Sequence, residues 1–366
     1  MSERESPKTW DTHAVWGATL HALRCPGCDS RYLAAPDVSA KQCPHCCRAA
    51  LVPLEVDAAH RPYHAPPELV IPATVDASTL ERQIKTFAEG IPFAPDDLNP
   101  ETLRGRLRRL WLPMWLVDAE IAAHWRAEVG FDYDVVSHQD RYSDGAGWQS
   151  RQVQETRVRW EPRVGRLQRS YDNIAVPAMD RHAAMEAKLG RYRHGDARAY
   201  TVEHVAGSFV RLPDRPPDAA WPEAVPGFQR AAAEECRQAA QAHHIEHFAW
   251  SPDYRGQHWT LLLLPIYVTH YLDDEGQPQP IHIHGQSGQV VGRRRASMQR
   301  AQRTALIIAI IAAVIFVLSL CLAVAGLALP IITILALVVG GFSLVGGAIG
   351  ALYPIIVVSR FNRKST

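Results

Sequence analysis

Between Thr304 and Ser359 the chain contains no Asp, Glu, Lys, Arg or His. An uncharged stretch of that length excludes an ordinary soluble protein, because one bilayer crossing needs only ~20 apolar residues. Acidic residues stop at Glu275, after which eight Lys/Arg remain. Residues 1–275 therefore hold 31 Lys+Arg against 38 Asp+Glu, a net charge of −7 that counts against binding a phosphate backbone. The opening residues, MSERESPKTWDTHAVWG, lack the apolar core of a signal peptide, so the bulk of the protein is expected in a reducing cytosol. No Gly-x-x-x-x-Gly-Lys-Ser/Thr loop is present to cradle phosphates, and no His-Glu-x-x-His or Gly-x-Ser-x-Gly frame is present for metal-assisted or nucleophilic catalysis.

Five of the seven cysteines fall within one short segment: Cys25, Cys28, Cys43, Cys46 and Cys47. Cys25-Pro26-Gly27-Cys28 and Cys43-Pro44-His45-Cys46 are two Cys-x-x-Cys knuckles, and each tight turn can aim two thiolates at one tetrahedral centre. Ser30-Arg31-Tyr32-Leu33 between them reads as a strand, which gives the layout of a zinc ribbon. The expected ligands are Cys25, Cys28, Cys43 and Cys46 on one structural Zn2+, with His45 and Cys47 as spare donors. Because all four ligands are protein groups, the site is closed, and zinc folds a module with little core of its own.

The uncharged stretch divides at Pro330 into two apolar runs, with Gly326 and Pro330 marking a turn between two transmembrane helices. Arg293, Arg294, Arg295, Arg300 and Arg303 precede it, and Arg360, Arg363 and Lys364 follow it. Basic residues at both ends place both ends in the cytoplasm. Gly340, Gly341, Gly346, Gly347 and Gly350 offer close packing, either between the two helices or in self-association through Gly346-x-x-x-Gly350.

Between these ends the pattern is that of an α+β body with antiparallel strands. Asp76 caps a helix over 77–89, and Asn99-Pro100 opens a short helix. An apolar run at 110–117 is followed by strands near 129–143, 150–161 and 166–176, with Asp144-Gly145-Ala146-Gly147 as a hairpin turn. Helices are expected over 178–189 and 228–244. Leu263-Leu264-Pro265-Ile266-Tyr267 repeats the form of Leu110-Trp111-Leu112-Pro113-Met114-Trp115, which suggests a duplicated half.

These motifs, together with Ile174-Ala175-Val176-Pro177 and His284-Gly285-Gln286-Ser287-Gly288-Gln289-Val290-Val291-Gly292, resemble those of bacterial membrane-anchored zinc-ribbon proteins, the TFIIB-type zinc-ribbon-containing family sometimes labelled primosomal or helicase-like. The resemblance covers roughly residues 22–303. It departs from the family pattern at His284, Ser287 and Gln289, where the family has Asn, Thr and Lys, and only one set of cysteine pairs is present. The resemblance implies the bacterial inner (cytoplasmic) membrane, and protein partners of the PspA-like or SPFH-type membrane-stress class.

Three further features invite chemistry. His243 and His247 are four residues apart, the spacing of a metal pair on one helical face, with His244 beside them; solvated polar residues are the competing reading. His282 and His284 alternate on a strand and are expected at the surface. Residues 141–169 carry seven Arg against three acids, and Arg157 and Arg159 share a strand face.

The resulting division is a tail (1–20), zinc ribbon (21–52), Pro-rich linker (53–72), α+β body (73–292), basic juxtamembrane segment (293–303), two transmembrane helices (304–358) and basic tail (359–366). The expected role is a non-enzymatic scaffold or adaptor, its ribbon carried on a flexible arm. A membrane-tethered nucleic-acid binder and an enzyme with a site between two halves of the body are the alternatives.

Overall fold

A computed structural model describes residues 12–36, 38, 42–54, 66–143, 147–325 and 330–364. In chain order the elements are α1 (Thr12–Trp16), β1 (His21–Arg24), β2 (Arg31–Ala34), β3 (Val52–Pro53), β4 (Leu69–Val70), α2 (Ala77–Ala88), α3 (Pro100–Gly105), β5 (Arg108–Ser143), β6 (Gly147–Pro177), α4 (His182–Leu189), β7 (Arg198–Ala199), β8 (Phe209–Arg211), α5 (Pro217–Ala239), β9 (His244–Leu272), β10 (Pro278–His284), β11 (Val290–Gly292), α6 (Met298–Ala325) and α7 (Pro330–Lys364).

The helix caps follow the sequence signals. Asp76 accepts from Thr79 N–H at 2.8 Å, and Asn99 accepts from Thr102 N–H at 2.9 Å. Other boundaries move. The helix expected over 178–189 begins at His182, and that expected over 228–244 runs instead from Pro217 to Ala239. The Asp144-Gly145-Ala146 turn, most of the turn between the apolar helices (326–329) and most of the Pro-rich linker (55–65) lie outside the described residues.

The strands expected separately are continuous. β5 has 36 residues, about 115 Å of extended chain, and β6 pairs with it from Met114↔Pro177 to Ser143↔Gly147. Gly165 does not break β6, because it makes room for a side chain: a Cβ there would lie 2.9 Å from the Trp125 ring. β9, 29 residues long, pairs with the other side of β5. The sheet is mixed rather than purely antiparallel, since β8 runs parallel to β5 and β4 parallel to β9.

The two proline motifs are equivalent in this sheet. Leu110 and Trp111 pair with β8, and β6 takes over at Met114, so Pro113 fills the gap between two outer neighbours. Leu262 and Leu263 pair with β4, and β10 takes over at Ile266, so Pro265 fills the matching gap. A residue without an N–H is tolerated where no outer strand needs its donor.

The apolar run 110–117 is buried on both faces, as an internal strand requires. Trp111, Trp115 and Val117 join a core with Trp16 of α1 and Ala220, Ala224 and Phe228 of α5, while Leu110, Leu112, Met114 and Leu116 join Tyr32, Ile71, Met179 and Leu189 on the other face. A third cluster packs α2 and α3 over Tyr267, Tyr271, Ile281 and Ile283, and includes Ala296, Ala301 and Val358 at the bases of α6 and α7.

α6 and α7 have 28 and 35 residues, each with an 18-residue stretch of mean hydropathy 3.2 and 2.3 respectively, and are long and apolar enough to cross a membrane. Most of their large side chains point away from protein. Gly340, Gly347 and Gly350 face α6; a Cβ on Gly347 would lie 2.2 Å from the Ala312 Cβ. Gly341 and Gly346 have nothing within 4 Å of that position, so of the Gly346-x-x-x-Gly350 pair only Gly350 packs against α6.

Candidate metal centre

The first knuckle is the turn between β1 and β2. Cys25 N–H donates to Ser30 O at 2.9 Å, Asp29 N–H donates to Cys25 O at 2.9 Å, and Gly27 N–H points at Cys25 Sγ at 3.4 Å. The second knuckle repeats the pattern, with its closing hydrogen bond one residue further along the chain. Cys43 N–H donates to Ala49 O at 3.0 Å, Cys47 N–H to Cys43 O at 3.0 Å, and His45 N–H points at Cys43 Sγ at 3.4 Å. The residue after each second cysteine, Asp29 (φ 59°) or Cys47 (φ 53°), adopts the left-handed conformation that reverses the chain.

The turns bring the thiols of Cys25, Cys28, Cys43 and Cys46 within 4.8 Å of one another. Cys25 Sγ lies 3.5 Å from Cys46 Sγ, and Cys28 Sγ lies 3.7 Å from Cys43 Sγ. Four sulfurs at ~2.3 Å from a tetrahedral ion are about 3.8 Å apart, so the four can hold one metal ion. His45 and Cys47 stand outside this group. Cys47 is the turn residue of its knuckle, buried with its sulfur 4.0 Å from Pro44 O.

Neighbouring groups differentiate the thiols. Burial raises the Cys25 and Cys43 thiols above the ordinary range and pushes Cys47 up to about 12. For Cys46 burial acts in the same direction, but N–H groups of Arg48 and Ala49 outweigh it and bring the thiol down to about 7. The Tyr32 hydroxyl, 3.4 Å from Cys43 Sγ, and Ser30 Oγ, 3.4 Å from Cys28 Sγ, form an outer layer that orients the sulfurs.

The cysteine module is not carried on a free arm. β2 pairs with β8 (Tyr32↔Arg211 to Ala34↔Phe209), and β8 pairs with β5, so the knuckles are part of the same sheet as the body. Cys25 and Cys43 belong to the core cluster of Leu110, Leu262 and Leu264.

Beside the centre is a cavity of about 1010 Å³ whose wall includes Cys28, Cys46 and His45. Arg24, Arg31, Arg48, Arg181 and Arg211 line it, against Asp29, Asp180 and Asp214. Arg211 pairs with Asp214 at 3.0 Å and Arg24 with Asp29 at 3.6 Å. The excess of two positive charges equals in size the formal −2 that a divalent ion with four thiolates carries. Arg48 lies two residues after Cys46 and was open to recognition from sequence. Arg181 and Arg211 reach the site only through the fold.

The histidines behave differently from expectation. His243 and His247 do not share a helical face, because α5 ends at Ala239 and β9 begins at His244. His243 Nδ1 accepts from Asp132 N–H at 3.1 Å, His244 Nε2 lies 2.7 Å from Asp132 Oδ1, and His247 Nδ1 lies 3.4 Å from Glu128 Oε2. His243 and His244 thus share Asp132 at the surface, while His247 stands apart on Glu128. His282 is half-buried and His284 fully buried, not at the surface. His284 Nδ1 accepts from Gln286 and Ser287 N–H, both at 3.1 Å, and its ring stacks on Tyr192 with centroids 3.9 Å apart.

Four arginines of the arginine-rich stretch are paired, three of them with acids of their own strand. Arg157 pairs with Glu155 at 3.3 Å, and Arg159 and Arg163 both pair with Glu161, at 3.1 and 2.7 Å. Arg169 pairs with Glu235. Trp111 and Trp115 are buried core, not stacking platforms. In comparisons with known proteins, no family model, curated protein or solved structure matches this chain.

Proposed function

We propose that this chain is a zinc-bearing scaffold anchored in the cytoplasmic membrane by a helical hairpin, with both ends of the hairpin and the whole body on the cytosolic side. The observation that carries the reading is continuity: the four-cysteine centre, the long sheet and the bases of the two apolar helices form one linked framework. Such a framework holds a metal-stapled recognition surface at a fixed place relative to a bilayer. Zinc is the ion that suits four thiolates in a closed tetrahedral site. Basic residues flank both ends of the apolar pair, which supports cytosolic termini. The motif resemblance to bacterial membrane-anchored zinc-ribbon proteins points the same way.

The test is a pull-down from gently solubilised native membranes, comparing wild type with Cys25→Ser/Cys28→Ser and with Arg48→Glu/Arg181→Glu, which leaves the thiols in place. Recovery of membrane-organising proteins by wild type, and their loss in either variant, is expected. Recovery of nucleic-acid machinery, or of no partner by wild type, overturns the scaffold reading.

A further inference from the structure

β9 begins at His244, opposite Gly130 of β5. Beyond that point the β5–β6 hairpin continues on its own, from Phe131↔Arg159 to Ser143↔Gly147. A two-stranded ribbon in water is marginally stable without a further strand or a packed face. This one exposes Tyr133, Val136, Val158 and Trp160, which are 47%, 64%, 37% and 37% accessible. Among the described residues, β6 has β5 as its only hydrogen-bonded neighbour, so its outer edge offers unpaired backbone donors and acceptors.

The charges on β6 are ordered. Glu155, Arg157, Arg159, Glu161 and Arg163 occupy every second position and so share one face, and Val158 and Trp160 lie on the other. An antiparallel copy of β6 placed beside it, with Arg159 opposite its own equivalent, sets Arg157 against Glu161 and Glu155 against Arg163 on both sides of the axis. The same register sets Val158 against Trp160 twice on the opposite face. Shifting the copy by one step of the pleat in one direction opposes Arg157 to Arg159 and Glu155 to Glu161. A shift in the other direction keeps Arg159 against Glu161 but opposes Arg157 to Arg163 and Val158 to Pro162, leaving two opposite-charge contacts where the first register has four. One register is therefore selected by charge and by apolar contact together. The like pair at Arg159 and the missing donor of Pro162 weaken the ladder without changing its register.

We propose that the partner of this edge is a second copy of the chain, joined by antiparallel β6–β6 pairing about a two-fold axis at Arg159. The pairing supplies each hairpin with its missing neighbour and covers Val158 and Trp160. It is an isologous contact, and it closes at two copies instead of propagating. It is separate from self-association through the glycines of α7.

The test uses the full chain in nanodiscs or detergent, with Cys321→Ser as the background to remove an exposed thiol. Directly opposed residues in an antiparallel pair have Cα atoms ~4.5–5.5 Å apart, within disulfide range, so Arg159→Cys is expected to give a covalent dimer on mild oxidation. Glu161→Arg puts like charges at both symmetric positions and is expected to weaken dimerisation roughly tenfold or more, read by light scattering. Arg157→Glu combined with Glu161→Arg is expected to restore it. A wild-type protein that stays monomeric, a dimer that ignores the charge reversal, or Arg159→Cys that fails to cross-link overturns the proposal.

Discussion

The carbonyl oxygen of Pro265 accepts the Gly285 N–H at 3.0 Å and the Tyr192 hydroxyl at 2.8 Å, and a Cβ on Gly285 would lie 2.5 Å from that same oxygen. The glycine at the start of the 285–288 turn is thus required by close approach to backbone. Its own backbone oxygen takes the N–H groups of Thr74 and Val75 at 3.0 and 3.2 Å, so the turn ties the segment before α2 to the sheet.

Gly285→Ala is expected to destabilise the body by about 1–3 kcal/mol, because backbone cannot yield as a flexible side chain does. Gly276→Ser is the comparison within a turn of open space, although its φ of +71° adds some strain of its own. Chemical denaturation of both variants separates the two, and an undisturbed Gly285→Ala protein contradicts the packing argument.

Metal is expected at one zinc per chain, measured by elemental analysis of the purified protein. Chelation should loosen β1, β2 and β8 before the long strands, since β1 and β2 flank the first knuckle directly and β8 pairs with β2. Hydrogen exchange across residues 21–34 and 209–211, with and without chelator, reads this directly. Loss of protection spread evenly along β5 and β9 would contradict it.

In the apolar pair, Gly347→Leu is expected to separate α7 from α6, because the Cβ alone would overlap Ala312. Overpacking of this kind costs about 1–3 kcal/mol or more. Gly346→Leu should be tolerated in the monomer, since nothing stands near that position. Cysteine cross-linking between the two helices in membranes distinguishes them, and equal disruption by both changes counts against the observed rotation of α7.

Acid should destabilise the body through its buried histidines. Burial, with smaller contributions from His45 and Lys188, pushes His282 down to about 4, and burial followed by Arg193 lowers His284. Both are taken up neutral on folding, whereas the unfolded chain binds the proton at the ordinary 6.5. Stability is therefore present in full above pH 6.5 and falls as the pH drops from there toward about 4. His282 alone accounts for at most roughly 3 kcal/mol. Denaturant midpoints of wild type and His282→Gln at pH 7.5, 6 and 5 should diverge, the variant losing less; parallel curves would remove His282 from the explanation.

What was legible in the sequence was local. The four cysteines, the Asp76 and Asn99 caps and the absence of charge between Thr304 and Ser359 are features of contiguous sequence, so each could be read where it stands. The continuity of β5 and β6 was hidden because Gly130 and Gly165 carry turn chemistry in isolation, and only the facing Trp125, Val158 and Trp160 show them to be places for side chains. The histidines misled for a related reason. Alternation placed His282 and His284 on one face but could not reveal that α4 and Tyr192 cover it. The proline motifs were visible as a likeness; their meaning depended on β4, β8 and β10, which approach from distant parts of the chain.

The pairing of Arg108 with Val268 also orders the protein's synthesis. β5 leaves the ribosome early, yet its inner neighbour β9 follows only after β6, α4, β8 and α5, so the long strand must wait with one edge bare. Contacts so distant in sequence close slowly and expose strand edges while they wait. The apolar helices emerge directly behind β11. The sheet is therefore completed only shortly before they appear, when the nascent chain is already long and its unpaired strands most need protection.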